Sequence, residues 1–202
     1  MCVESLIASS RGRAELWFVD DGSTDGTSRI LESFVPQIHL LRAGGEGPGR
    51  ARNLAWRGSD RRFIAFLDAD TRVPANWIDA MVAELATRDE RIAAIGGAQD
   101  LYDGANEGER HGSGWLSMMG FVSDYLHQGD GAIRVRHNPS CNVVYDRAAL
   151  LDVDGFDETF WPCEDLDLDL RMGRKGWGMI YSPRMRVQHR RQIGRASCRE
   201  RV

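Results

Sequence analysis

No stretch of this chain approaches the roughly 18 consecutive apolar residues that a bilayer-spanning helix requires. The N-terminus also lacks the basic, apolar and small-residue zones of a secretory signal. Four cysteines, Cys2, Cys141, Cys163 and Cys198, include no C-x-x-C pair, so neither a zinc ribbon nor a disulfide framework is indicated. No polybasic block interrupts the body of the chain and the net charge is −4, which leaves nucleic-acid binding without an electrostatic footprint. Internal repeats and low-complexity segments are absent too. What remains is an ordinary globular composition over 202 residues, with 42% hydrophobic and 28% charged side chains. That length and balance fit one domain able to bury a sizeable core, and exclude wholesale disorder.

Short apolar runs alternate with helical patterns. Leu16 to Val19 reads as a strand closed by Asp20-Asp21-Gly22-Ser23-Thr24-Asp25-Gly26, and a helix follows with Ile30, Leu31 and Phe34 on one face. Ile38 to Leu41 is a second strand. A glycine-rich loop, Ala43 to Gly49, leads into a helix through Arg50 to Arg57. Phe63 to Leu67 is a third strand, then a helix runs through Trp77, Met81 and Leu85, and Ile92 to Ile95 is a fourth strand, expected to end at Gly96-Gly97. This β-α-β-α rhythm predicts an α/β fold, a mostly parallel sheet with helices on both faces. The second half is less regular: a Gly/Asp/Glu-rich stretch from Asp103 to Gly114, then a helix from Trp115 to Leu126.

The third strand ends in Asp68-Ala69-Asp70. Ligands of parallel α/β sheets gather at the carboxyl ends of strands, and two carboxylates there need a compensating cation. A hard divalent ion carrying phosphate oxygens meets that need, while a helix-capping turn is the plainer alternative. Asp20-Asp21 at the first strand's end could accept from a base or ribose, or serve only in an Asx turn. The glycine-rich loop resembles a phosphate cradle but matches neither G-x-G-x-x-G nor G-x-x-x-x-G-K-[ST]. Arg52 behind it has the permanently charged fork suited to phosphate. Glu164-Asp165 opens a helix whose apolar pattern is read from Leu166 and Leu170. Carboxylates at a helix N-terminus stay ionised, as a general base must. An EF-hand match fails, because counting from Asp165 the sixth and twelfth positions are Leu170 and Gly176. His189 ends a strand-like run from Met185 and is a candidate metal ligand or a structural histidine.

Taken together, these residues resemble the family 2 glycosyltransferases of the GT-A fold. The resemblance runs from Ala14 to about Arg191. It rests on Val19 to Thr27, Ala51-Arg52-Asn53, Phe66 to Asp70, Gly155-Phe156-Asp157-Glu158, and Glu164-Asp165 with Asp167, Leu168 and Arg171 behind. It implies a Rossmann-like sheet and an inverting, metal-dependent transfer from a nucleoside-diphosphate sugar to a carbohydrate, lipid-linked or other hydroxyl acceptor. By the same resemblance Asp20 and Asp21 contact the base or ribose and Asp68 the ribose or metal-bound diphosphate. Asp70 ligates Mg2+ or Mn2+, His189 is a further ligand, Asp165 is the general base and Glu164 holds the acceptor. The rival readings are a haloacid-dehalogenase-like phosphatase and a non-catalytic nucleotide-binding module. The phosphatase motif D-x-D-x-T would put threonine at position 72, whereas Thr71 follows Asp70 directly and Arg72 comes next. The acceptor pocket is expected between Gly108 and Asn142, with Trp115, Tyr125 and Trp161 available to stack or to pack.

One departure concerns the family's opening strand, which normally lies between the strand ending at Asp20 and the strand ending at Asp68. Residues 2–7 read only as the tail of the helix that follows it. The expectation is a catalytic domain over 1–192 truncated at both ends, with an interrupted sheet, low stability and poor activity. Residues 193–202, Ile193 to Val202, read as the translation of a sequencing adapter and are expected to be a non-native tail. A cytoplasmic location is expected, at the membrane face if regions outside this chain anchor it.

Overall fold

A computed structural model describes residues 2–101, 131–160 and 162–189. The expected helix from Trp115 to Leu126, the tail from 193 and the stacking candidates Trp115, Tyr125 and Trp161 lie outside the described residues. Helix α1 (Cys2–Ser10) leads to β1 (Trp17–Asp20), α2 (Thr27–Glu32), β2 (His39–Arg42) and α3 (Pro48–Gly58). Next come β3 (Phe63–Leu67), β4 (Thr71–Arg72), α4 (Trp77–Thr87) and β5 (Ile92–Leu101). The rest comprises β6 (Ile133–Val135), β7 (Asn142–Asp146), α5 (Arg147–Asp152), α6 (Glu164–Arg174) and β8 (Gly178–His189).

The main sheet has the order β3-β7-β5-β8-β4, with β6 also on β8. Strands β3, β5 and β8 run the same way, and β7 enters between β3 and β5 against them. Strands β1 and β2 pair in parallel as a separate two-stranded sheet, so among the described residues no ladder joins β1 to β3.

Period-two alternation sorts the strand side chains into two layers. Phe66 of β3, Val143 and Tyr145 of β7 and Met179 of β8 face one core with Trp56 of α3, Leu150 of α5, and Leu168 and Met172 of α6. Leu67, Val144, Ile95 and Val187 face the other, with Leu6 of α1 and Trp77 and Ile78 of α4. Helices thus cover both faces, as the strand-helix rhythm predicts.

Two local expectations are corrected. Strand β5 does not stop at Gly96-Gly97 but continues to Leu101. These glycines admit close neighbours instead: a Cβ on Gly96 would collide with the Asn138 amide, and one on Gly97 with the Met185 carbonyl and the Asn142 amide. In α6 the buried side chains are Glu164, Leu168, Asp169 and Met172, while Leu170 is exposed. The helix is therefore turned away from the face that Leu166 and Leu170 suggest.

Because β7 is antiparallel, its first residue, Asn142, pairs with the last of β3, Leu67. The loop before β7 consequently lies at the same sheet edge as Asp68. His189, at the end of β8, pairs with Thr71 there.

Candidate functional site

Asp68, Asp70 and His189 converge, with one ligand atom of each within 4.8 Å of the others. His189 Nε2 lies 2.9 Å from Asp70 Oδ1 and 4.0 Å from Asp68 Oδ2. Two carboxylates and an imidazole make a donor set that could hold a divalent cation and leave positions for phosphate oxygens. Thr71 fixes the turn between the two aspartates, its amide and hydroxyl both donating to the Asp68 carbonyl, at 3.0 and 2.7 Å.

Arg52 joins this cluster to a second one. It projects from α3, whose glycine-rich start has Pro48 at the first turn, where a missing N–H costs nothing. Its Nη2 donates to Asp68 Oδ1 at 3.0 Å and its Nη1 to Glu164 Oε1 at 2.6 Å, and the guanidinium lies over the Phe156 ring. Burial opposes its charge, but Asp68 and Glu164 outweigh that and raise its pKa further. Arg52 and Glu164 stand 112 positions apart in the sequence and are joined by this contact.

Glu164 and Asp165 begin α6 directly after Cys163, whose φ of 80° puts a non-glycine residue in the left-handed region. Such strain is tolerated where surrounding packing enforces it. Asp165 accepts from the Ser140 amide at 3.0 Å and from the Leu166 amide at 2.8 Å. One turn on, buried Asp169 accepts from His137 Nδ1, the Asn138 amide and the Tyr145 hydroxyl at 2.9, 2.8 and 2.7 Å. The loop from His137 to Ser140 is thus fastened to the helix at both carboxylates. Burial pushes the Asp169 pKa up in spite of these donors. Burial works against a charged His137, yet Asp169 raises its pKa, and burial beside that carboxylate raises Tyr145 well above its ordinary value.

Sequence reading missed Asp169, His137 and Tyr145. The available signal was the stripe 165, 168, 169, 172, in which Leu168 and Met172 share a helical face with two acids.

Asp20 and Asp21 stand apart from this chain of contacts. Asp20 is buried and accepts from the Ser23 amide at 2.9 Å and from the Ser28 hydroxyl. Burial opposes its ionisation, but the serine donors prevail and lower its pKa. Asp21 is ringed by amides of the glycine-rich loop, from Gly45 at 2.8 Å, Glu46 at 3.0 Å and Gly47 at 2.8 Å. That loop is therefore shaped around a carboxylate of its own chain. Among the described residues neither aspartate is hydrogen-bonded to Asp68, Arg52 or Glu164.

The sequence model of glycosyl transferase family 2 matches residues 1–153. A pre-mycofactocin glycosyltransferase of Mycobacterium tuberculosis is 29% identical over 193 residues, covering 91% of this chain and 39% of that protein. An N-acetylglucosaminyl-diphospho-decaprenol L-rhamnosyltransferase of the same species is 26% identical, covering 92% of this chain and 69% of that protein. The chain thus spans about two fifths of the first of these relatives. Among solved structures, S. aureus TarS 1-349 in complex with UDP-GlcNAc superposes with a TM-score of 0.67 at 18% identity, over 96% of this chain and 55% of that one. GalNAc-T7 with UDP, GalNAc and Mn2+ gives 0.71 at 17%, over 95% and 41%. The shared architecture is the GT-A fold, a mixed α/β sheet whose main strands run parallel.

Proposed function

The chain belongs to glycosyl transferase family 2, and from that premise we propose that it carries the donor and base machinery for moving a sugar from a nucleoside-diphosphate sugar to an acceptor hydroxyl with inversion. The observation that carries this reading is the contact chain Asp70–His189–Asp68–Arg52–Glu164, which ties a cation-binding set to the helix bearing Asp165. TarS with UDP-GlcNAc and GalNAc-T7 with UDP and Mn2+ favour a uridine nucleotide and a divalent ion as the first ligands to test.

In this reading Asp68, Asp70 and His189 hold Mg2+ or Mn2+, which supplies charge stabilisation for the departing diphosphate. Asp165, held by the Ser140 amide, takes the proton of the acceptor hydroxyl. The acceptor oxygen then bonds to the anomeric carbon from the side opposite the diphosphate. The bond from that carbon to the phosphate oxygen breaks, and its electron pair leaves with the nucleoside diphosphate. Glu164 steadies Arg52 and borders the acceptor. Asp20 and Asp21 serve the base side of the donor by shaping the loops around it. The acceptor is a carbohydrate or lipid-linked hydroxyl, the kind of substrate the rhamnosyltransferase relative is named for. The reaction belongs in the cytoplasm or at its membrane face. Among the described residues Cys2, Cys141 and Cys163 form no disulfide, which fits a reducing compartment, and no described helix is long and apolar enough to cross a membrane.

Calorimetric titration with UDP in the presence and absence of Mn2+ tests the donor site. The Asp70→Ala variant should lose the metal-dependent part of binding. Asp165→Asn should bind as the parent does and lose transfer. UDP affinity that is the same with and without metal in the parent would sink the roles given to Asp68, Asp70 and His189.

A further inference from the structure

Arg52 contacts both the Asp68–Asp70–His189 cluster and the base helix, and its contact with Asp68 competes with the cluster's function. Its guanidinium is nearly buried, with 13% of the side chain exposed, and Glu164 is more buried still at 8%. A cation so placed persists because two carboxylates neutralise it. One of the two is Asp68, 30% exposed and shared with the Asp70–His189 set. A divalent ion settling on Asp68 and Asp70 would share the Asp68 carboxylate with the guanidinium already 3.0 Å away. That places a divalent ion and the guanidinium on the same carboxylate.

A diphosphate relieves the crowding. Its oxygens match the guanidinium fork, and each exchange of a carboxylate for a phosphate leaves Arg52 fully paired. We propose that Arg52 makes cation and diphosphate binding mutually dependent: without diphosphate it occupies Asp68 and weakens cation binding, and with diphosphate it swings Nη2 to phosphate while Nη1 stays on Glu164. Glu164, at 2.6 Å, is the pivot that keeps the side chain between donor and base helix. This inference rests on the donor-site reading above and adds to it an order of assembly. Because linkage is reciprocal, UDP must gain from Mn2+ the same factor that Mn2+ gains from UDP.

The experiment is calorimetric titration of the full chain with Mn2+ alone and with Mn2+ at saturating UDP, in parallel with circular dichroism of each variant. The parent should bind Mn2+ roughly tenfold more tightly when UDP is present. Arg52→Gln should bind Mn2+ alone roughly fivefold more tightly than the parent and lose most of the UDP enhancement. Glu164→Gln should shift the other way, because Arg52 then depends on Asp68 alone. Arg57→Gln, an exposed neighbour on α3, should match the parent. The proposal is overturned if Arg52→Gln binds Mn2+ no better than the parent while Asp70→Ala loses it, or if UDP leaves parental Mn2+ affinity unchanged. Should Arg52→Gln fail to fold, Glu164→Gln decides, since Mn2+ binding equal to or tighter than parental contradicts the competition. Mn2+ binding that survives in Asp70→Ala strikes at the site reading itself, which is a separate result.

Discussion

At the scale of single residues, Asp169 is a carboxylate that is costly to bury. Its side chain is wholly enclosed, and it is tolerable there only because three donors converge on it. Removing the carboxylate leaves the His137 ring, the Asn138 amide and the Tyr145 hydroxyl without their acceptor in a dry site. Asp169→Ala should therefore cost about 3–5 kcal/mol of unfolding free energy. Tyr145→Phe, which removes one donor and leaves the acid two others, should cost about 1 kcal/mol. Urea denaturation followed by circular dichroism measures both, and an Asp169→Ala variant within about 1 kcal/mol of the parent would contradict the network's weight. Arg52 is the opposite kind of residue. Its donors are also satisfied, but by partners that the proposed ligands would replace, so its substitution should change binding more than stability.

At the scale of elements, the two sheets should differ in persistence. Among the described residues strands β1 and β2 pair only with each other, and a two-stranded unit is marginal without packing. Their support is lateral: Phe18 and Leu40 meet Val3, Leu31 and Ile38, and Trp17 lies against Gly58 of α3. Strand β7 has partners on both sides, and all five of its residues are buried. Amide hydrogen exchange should show β1 and β2 opening well before β5, β7 and β8, by local excursions rather than global unfolding. Equal protection across both sheets would refute this. Much of this layout was legible beforehand, because apolar runs and helical spacing located β1, β2, β3, α3, α4 and α6 closely. The misreadings share one cause, which is that tertiary neighbours set the outcome. Gly96 and Gly97 look like a strand terminus until Asn138 and Met185 are seen pressing on them. Leu166 and Leu170 look like a core face until Asp169 is seen drawing α6 inward on the other side. In the site, strand ends announced Asp68 and Asp70, and a helix start announced Glu164 and Asp165. Nothing local could join Arg52 to Glu164 across 112 positions or turn Asp21 onto the loop at Gly45 to Gly47.

At the scale of the whole molecule, the shifted titrations divide into two groups with opposite dependence on pH. Asp20 is lowered by serine donors against its burial, and Asp25 and Asp157 are lowered by hydrogen bonds from Thr27 and Thr159. Groups of this kind stabilise the fold above their ordinary value of 3.8, and that contribution disappears as pH falls through their lower folded values. The exposed members count for little, being screened by solvent. His137 behaves in the reverse sense. Burial resists its charge but Asp169 holds the proton on, so its contribution is complete below the ordinary value of 6.5 and is lost as pH rises through the raised folded value. The two slopes meet in mildly acidic solution, so the Tm should peak there and decline as pH rises above 6.5 through the raised His137 value. His137→Gln removes the imidazolium while leaving an amide that can still donate to Asp169, and it should flatten that decline without moving the acid limb. Thermal melts across the range decide the matter. A parental Tm that climbs between neutral and alkaline pH, or a His137→Gln variant that keeps the parental decline, would show that the buried pair beneath Asp165 does not govern the molecule's response to pH.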